Sequence, residues 1–174
     1  MGLSASKRVK TSLDHSSEFD AACDSAFTHC LSLTQHAFHG VLPYQLLTAS
    51  DHIHHSLLSL PNDRRLHSLV LKWVPNPPNR TQVDSAFKKV THDRPEDESL
   101  DVIGATRFKE WAMVLYVDAV VGNAGKAVLC RVPIGMAGIA GIGALTRSRR
   151  EFIGTAVGAY ALGVATSIYL SLSG

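Results

Sequence analysis

Residues 152–172, with the sequence FIGTAVGAYALGVATSIYLSL, contain no charged side chain. As a helix, these 21 residues would rise about 30 Å, which is the thickness of the hydrocarbon core of a bilayer. The stretch is therefore predicted to be a transmembrane helix that anchors the chain by its C-terminal tail. Because Arg147, Arg149 and Arg150 precede it, the positive-inside bias predicts a membrane-surface position for these arginines and a body that faces the cytosol.

A second uncharged stretch, VPIGMAGIAGIGAL at residues 132–145, lies just upstream. Its 14 residues are fewer than the roughly 20 of a normal span. The sequence leaves open whether it forms the first arm of a membrane hairpin, with residues 146–150 as the turn, or lies in the interface. The other alternative is that both stretches form a weakly apolar helical pair buried in a soluble protein.

Glycines recur in both stretches at spacings that let helix backbones approach closely in lipid. These positions are predicted to pack helices in the membrane, and self-association through them is expected. They are Gly135, Gly138, Gly141, Gly154, Gly158 and Gly163.

The chain begins Met-Gly-Leu-Ser-Ala-Ser, which matches the pattern for N-myristoylation of Gly2. One acyl chain binds membranes only marginally, so a second signal is required. Lys7, Arg8 and Lys10 are predicted to supply it at the membrane surface, because each cation near anionic lipid contributes about 1 kcal/mol. Residues 1–16 are thus expected to be a flexible, acylated, basic tail. The alternative is an ordinary polar tail in which Gly2 is accidental.

The composition excludes several classes of protein. A chain of 174 residues with 45% hydrophobic and 18% charged residues is not a disordered chain, a coiled coil or a collagen-like fibre. A net charge of +2 provides no strong field for nucleic acid, which is not expected as a partner. The sequence contains no P-loop, nucleophile elbow or HExxH motif, so no catalytic residue is assigned and a non-enzyme is expected.

Between the two ends, apolar residues follow a helical period. The first pair of helices is predicted over residues 17–36 and from Pro43 to near Pro61, and the short apolar segment 66–74 is of undecided type. A stiff, proline-rich linker is expected at residues 75–80, and the second pair follows it. The predicted organisation is all-α, with helix-loop-helix units at residues 17–74 and 81–125 and a glycine-rich membrane segment at 126–174.

The second unit resembles the EF-hand family. The resemblance rests on VDSAFKKV at residues 83–90, the acidic stretch after it, Ile103, and FKEWA at residues 108–112. More faintly, it covers residues 27–53, where Val41 takes the place of the loop's aliphatic residue. The resemblance implies that the two loops pair through a short β-bridge between their aliphatic residues. It also implies a loop at residues 96–107 that is followed directly by Phe108.

Two positions depart from the EF-hand pattern. Asp101 replaces the glycine that makes the sharp turn, and Arg107 replaces the glutamate that closes the calcium shell. The first loop carries no carboxylate; its residues include Gln35, His36, Phe38 and His39. The resemblance therefore implies a degenerate pair that keeps the scaffold, and no cofactor is expected. An unrelated helical bundle and weak calcium binding in another geometry are the alternatives, the latter through Glu96, Asp97, Glu98 and Asp101.

Histidine is unusually frequent, with eight of the nine residues between His15 and His67. His52 and His55 are three residues apart on one predicted helix face, but a zinc site needs four ligands in a tetrahedral array. Partly exposed helix-surface histidines are therefore expected. A zinc site that recruits Cys30, and a pH-responsive surface, are the alternatives.

Together these patterns predict a membrane-anchored, non-catalytic interaction module that holds a partner helix or peptide in the cleft between its helix pairs. Its expected partners are membrane lipid and an unidentified protein. A structural or membrane-shaping subunit that acts through its glycine-rich tail is the first alternative, and a calcium sensor is the second. The membrane is predicted to be the mitochondrial or plastid outer membrane or the plasma membrane.

Overall fold

The computed structural model describes residues 2–61, 65–92, 102–145 and 150–173. Over these ranges the chain is helical, with no strand, which confirms the predicted all-α class. Short 3-10 turns occur at Pro43–Gln45 and Ser171–Ser173. The helices are α1 (Gly2–Asp14), α2 (Ser17–Leu33), α3 (Leu46–Leu58), α4 (Arg65–Trp73), α5 (Arg80–Thr91), α6 (Ala105–Leu145) and α7 (Arg150–Leu170).

Polar side chains fix where two of these helices begin. The Ser16 hydroxyl accepts a hydrogen bond from the backbone N–H of Phe19 at 3.2 Å, which satisfies a free donor at the start of α2. At the start of α5, Asn79 and Gln82 form a capping box: the N–H of Gln82 donates to the side chain of Asn79, and the N–H of Asn79 donates to the side chain of Gln82. Both helix starts are therefore encoded locally.

The body contains two pairs of packed helices, α2 with α3 and α5 with α6. The segments that join each pair meet at an isolated antiparallel β-bridge between Val41 and Ile103. The N–H of Val41 donates to the carbonyl of Ile103 at 2.9 Å, and the N–H of Ile103 donates to the carbonyl of Val41 at 2.8 Å. Both side chains are buried. The β-bridge that the resemblance implied is thus present at the residues proposed for it.

Aromatic side chains join the first pair of helices to the second. The rings of Phe27 on α2 and Phe108 on α6 meet edge to face, with centroids 5.4 Å apart. One helical turn further on, the indole N–H of buried Trp111 donates to the carbonyl of Val83 at 3.4 Å. Phe19 and Tyr116 make a second edge contact at 5.8 Å. These contacts give α6 a central place in the core, because it packs against α5 of its own pair and α2 of the other.

The segment of undecided type is a helix, α4. It packs against α3 and α6, and two side chains donate hydrogen bonds to backbone carbonyls at its C-terminal end. His54 donates from Nε2 to the carbonyl of Val74 at 2.8 Å, and Asn123 donates from Nδ2 to the carbonyl of Trp73 at 2.7 Å. The sequence left this segment open because its nine residues are too few for a clear period.

The N-terminal residues correct one expectation, because residues 2–14 are helical rather than a flexible tail. Ala5, Val9 and Leu13 recur every four residues along α1 and are buried. They pack α1 against α6 and against the turn at Ser171–Ser173. This apolar stripe is narrow and surrounded by polar residues, so the sequence pattern did not predict a buried helix face.

Helix α6 corrects a second expectation, because it runs unbroken through the predicted domain boundary at residues 125 and 126. Gly122 and Gly125 lie inside it, where each lowers helix propensity without ending the helix. Pro133 is also internal. The second helix of the body and the first glycine-rich stretch are therefore a single helix of 41 residues.

Gly40 is required where the two loops meet. A Cβ at this position would overlap the carbonyl of Ile103 and the side chain of Val102, whereas a Cβ at Gly104, beside the bridge, would have nothing within 4 Å. We expect Gly40→Ala to lower the free energy of unfolding by about 1–3 kcal/mol, because the obstructing atoms belong to the bridge backbone. Gly104→Ala should change it by less than about 0.5 kcal/mol. Urea denaturation followed by circular dichroism measures both, and equal losses would contradict this role of the bridge.

Candidate membrane anchor

Helices α6 and α7 pack against each other and extend beyond the body as a hairpin. The fully buried part of α6 ends at Ala124. Beyond it, residues 126–145 and 150–170 form two arms of 20 and 21 residues, each about 30 Å long. Within the described residues, α6 and α7 are the two helices that are long and apolar enough to cross a membrane.

Large apolar side chains cover the outside of this hairpin. Five of them are between 65% and 74% exposed to solvent: Leu129, Ile134, Ile142, Phe152 and Leu162. Apolar residues occur on every side of α7, and only 6% of its most apolar 18-residue stretch is buried. Soluble proteins rarely expose so much continuous apolar surface, and helices that are apolar all round are found in lipid or in a protein core.

The C-terminal residues return to the body. The turn at Ser171–Ser173 contacts α1 and α4, and Leu172 is buried there. A single span would place this turn on the opposite side of the membrane from the body. The two uncharged stretches thus lie in α6 and α7, which pack side by side as the arms of a hairpin.

Two glycines let the arms approach closely. A Cβ at Gly135 would overlap the ring of Tyr160, and a Cβ at Gly143 would overlap the side chain of Ile153. Spacing alone did not indicate Gly143, because no glycine stands three or four residues from it. The other predicted packing glycines have nothing within 4 Å of an added Cβ: Gly138, Gly141, Gly154, Gly158 and Gly163. They do not pack the arms of one chain, so their use in self-association stays a prediction.

The basic N-terminal residues lie near the level where the hairpin leaves the body, called here the hairpin base (residues 126–131 and 164–170). The guanidinium of Arg8 stacks over the ring of Tyr169, 4.9 Å from its centroid. Lys7 and Lys10 are exposed on the same helix, which begins at Gly2. Of the predicted turn arginines, Arg147 and Arg149 lie outside the described residues, and Arg150 is the first residue of α7.

The four acidic residues considered for calcium, Glu96, Asp97, Glu98 and Asp101, also lie outside the described residues. In the described part of that loop, Ile103 is held in the β-bridge. Arg107 follows in the first turn of α6 and lines a small cavity with Phe87 and Trp111. Over the described ranges, no group of three histidine, cysteine or acidic side chains is placed to hold a metal ion.

The histidines form a surface pair instead of a cluster of ligands. The rings of His29 and His52 stack with centroids 4.7 Å apart, and the Ser25 hydroxyl lies 3.0 Å from Nε2 of His52. Partial burial lowers the pKa of His52, and the positive charges of His29 and His55 lower it further. His55 is exposed, whereas His54 is buried in the contact with Val74 that was described above.

The three cysteines are free. Burial raises the pKa of Cys23 to about 12 and that of Cys30 to about 11, so both thiols stay protonated and unreactive. Cys23 and Cys30 are therefore small buried side chains of the core. Cys130 is exposed at the hairpin base.

No family model, no curated protein and no solved structure gives a significant match to this chain. Its function is therefore inferred from the geometry of the hairpin and of the body.

The arms can be tested with alanine at two glycines of α6. Gly135→Ala should lower hairpin stability by about 1 kcal/mol, because Tyr160 must rotate out of its contact. Gly138→Ala should raise it by about 0.5–1 kcal/mol, because alanine is the better helix former and has room there. Thermal unfolding in detergent micelles, followed by circular dichroism, measures both changes. Destabilisation of equal size by both would contradict this packing of the arms.

The lowered pKa of His52 predicts how stability depends on pH. The ordinary pKa of 6.5 applies in the unfolded chain, so the unfolded state binds the proton more readily than the folded state. The free energy of unfolding should therefore fall as the pH is lowered from about 7.5 to about 5.5. His52→Gln should reduce that fall, as measured by urea denaturation at each pH. An undiminished acid sensitivity in the variant would rule out His52 as its source.

Proposed function

We propose that this protein is a non-catalytic membrane protein whose α6–α7 hairpin inserts into a bilayer and whose helical body serves as an interaction module. The observation that carries the proposal is the exposed apolar surface of two packed arms, each about 30 Å long. In water this surface would lead to aggregation, whereas in a bilayer it would contact lipid chains that are also apolar.

The body is proposed to face the cytosol. The cations at or near the hairpin base outnumber the three arginines before and at the start of α7, and the side with more lysine and arginine stays in the cytosol. They are Lys7, Arg8, Lys10, Lys126 and Arg131. N-Myristoylation of Gly2 would add a lipid anchor on the same side, because α1 contacts the turn at Ser171–Ser173.

The body is proposed to be a degenerate EF-hand-like pair. Two helix-loop-helix units, the bridge between Val41 and Ile103, and the burial of Phe108 support this interpretation. Ordinary calcium binding is not proposed, because the first loop lacks carboxylates and Arg107 stands in place of the closing glutamate.

A partner is proposed to dock at the first loop of the body instead of in a cleft. Helices α1 and α4 and the turn at Ser171–Ser173 pack on or around α6, so the chain itself covers much of the apolar surface that a cleft would offer. Around the first loop, Leu33, Phe38 and Tyr44 are exposed. Exposed large apolar residues in one region are typical of protein-binding surfaces.

A structural or membrane-shaping role through the hairpin remains the second candidate. The observation that favours it is the set of α6 and α7 glycines that face open space in a single chain, such as Gly138 and Gly158. Such positions allow a second hairpin to approach closely in lipid.

Labelling with a membrane-impermeant maleimide tests the hairpin topology. In a Cys130→Ser background, Ser68→Cys places a thiol on an exposed position of α4, and Ser148→Cys places one between the arms. After insertion into phosphatidylcholine vesicles from outside, the first thiol should react at once and the second only after permeabilisation. An epitope tag after Gly174 should be accessible together with the body.

Three outcomes would contradict the proposal. Failure of the full chain to float with the vesicles would exclude membrane insertion. A protected C-terminal tag on an accessible body would indicate a single span. Immediate reaction of the thiol introduced by Ser148→Cys would mean that the turn does not cross the bilayer. The buried Cys23 and Cys30 serve as internal controls that should remain unlabelled until the protein is denatured.

A further inference from the structure

A cavity of about 390 Å³ opens between α6 and α7 at the hairpin base. This volume lies within the range of small-ligand pockets, about 300–1,000 Å³. Its lining combines one cation and two hydroxyl groups with an apolar wall. The lining residues are Arg131, Tyr160, Gly163, Val164, Ser167 and Ile168.

Arg131 carries a charge that the described part of the chain leaves without an ion-pair partner. Its side chain is exposed, and none of the ion pairs between described residues includes it. The guanidinium stays charged at any relevant pH. Residues 132–145 beyond it are uncharged. A permanent cation in this position is costly near lipid unless an anion joins it.

The depth of Arg131 matches the polar edge of a bilayer. It follows Lys126 by five residues, which is about 7–8 Å along the helix axis. If Lys126 marks the membrane surface, Arg131 lies at the level of lipid phosphate and glycerol groups. Long cationic side chains at such positions reach towards phosphates.

Two residues of α7 keep the cavity formed and open. The Tyr160 hydroxyl donates to the backbone carbonyl of Arg131 at 3.3 Å, which joins the two arms beside the cation. A Cβ at Gly163 would meet nothing within 4 Å, so a larger side chain there would fill the cavity without disturbing the arms. Ser167 lies about one turn further along α7 and offers a hydroxyl donor on the same lining.

We propose that this cavity binds the phosphate group of an anionic phospholipid. The Arg131 guanidinium presents two parallel N–H donors to the phosphate, and the Ser167 hydroxyl donates a third hydrogen bond. Val164 and Ile168 contact the first carbons of the acyl chains. The inference rests on the proposed insertion of the hairpin, which places the cavity among lipid headgroups.

The test uses the full chain in detergent micelles, titrated with dihexanoyl phosphatidic acid, dihexanoyl phosphatidylcholine or inorganic phosphate. Calorimetry should detect saturable binding of the phosphatidic acid only. Arg131→Gln should weaken it about tenfold or more, because it removes a charged hydrogen-bond donor. Gly163→Leu should weaken it to a similar extent by filling the cavity. Lys126→Gln, which removes a cation outside the cavity, should leave affinity within about twofold.

Each other result has a distinct meaning. If inorganic phosphate at equal concentration displaced the phosphatidic acid, the ligand of the cavity would be a soluble anion and the lipid proposal would be wrong. Equal losses of affinity in Lys126→Gln and Arg131→Gln would mean that the lipid is attracted only by diffuse charge, which would overturn the proposal. Unchanged affinity in Gly163→Leu would also overturn it, provided that this variant has the same melting temperature as the parent. Flotation of the full chain with neutral phosphatidylcholine vesicles is measured separately and should be the same in all variants. Loss of flotation in the parent would refute hairpin insertion, while the micelle titration would still report on the site.

Discussion

The unbroken helix α6 is the constraint on which the rest of the structure depends. Its first half is buried by α1, α2, α4 and α5, and its second half is one arm of the hairpin. A helix satisfies its backbone hydrogen bonds internally in any solvent, and within α6 only Pro133 lacks a donor, so the chain passes from the buried core to the exposed arm without a loop. Only the side chains change, from Trp111 and Tyr116 inside the body to Leu129 and Ile134 outside it.

This continuity fixes the geometry of both functional regions. Ile103, two residues before α6 begins, is held by the bridge to Val41, and Tyr160 joins the other half of α6 to α7. Because a helix of 41 residues is about 60 Å long, the β-bridge beside its start and Leu145 at its end lie far apart. Residues 171–173 follow α7 and contact α1, so the body is connected to both arms of the hairpin.

Sequence patterns were sufficient wherever a local rule decided the structure. Helical periodicity located the paired helices and the lack of charge located α7, whereas the bridge between Val41 and Ile103 was implied only by the resemblance to the EF-hand family. The sequence was insufficient where long-range packing decided. The narrow apolar stripe of α1 is explained only by its packing against α6. The glycines at positions 135 and 143 are explained only by the close approach of Tyr160 and Ile153. The cavity beside Arg131 also required the structure, because its lining comes from residues about 30 positions apart on two antiparallel arms.

The burial of α1 by later parts of the chain has a consequence for synthesis. Helix α1 packs on α6 and on residues 171–173, which emerge from the ribosome long after it. Until they do, Ala5, Val9 and Leu13 have no surface to cover, and an isolated helix of 13 residues is marginal in water. Helix α1 therefore becomes stable only after α6 and residues 171–173 have been synthesised. The first helix of the chain is thus among the last to fold, and its stability depends on residues from the other end of the sequence.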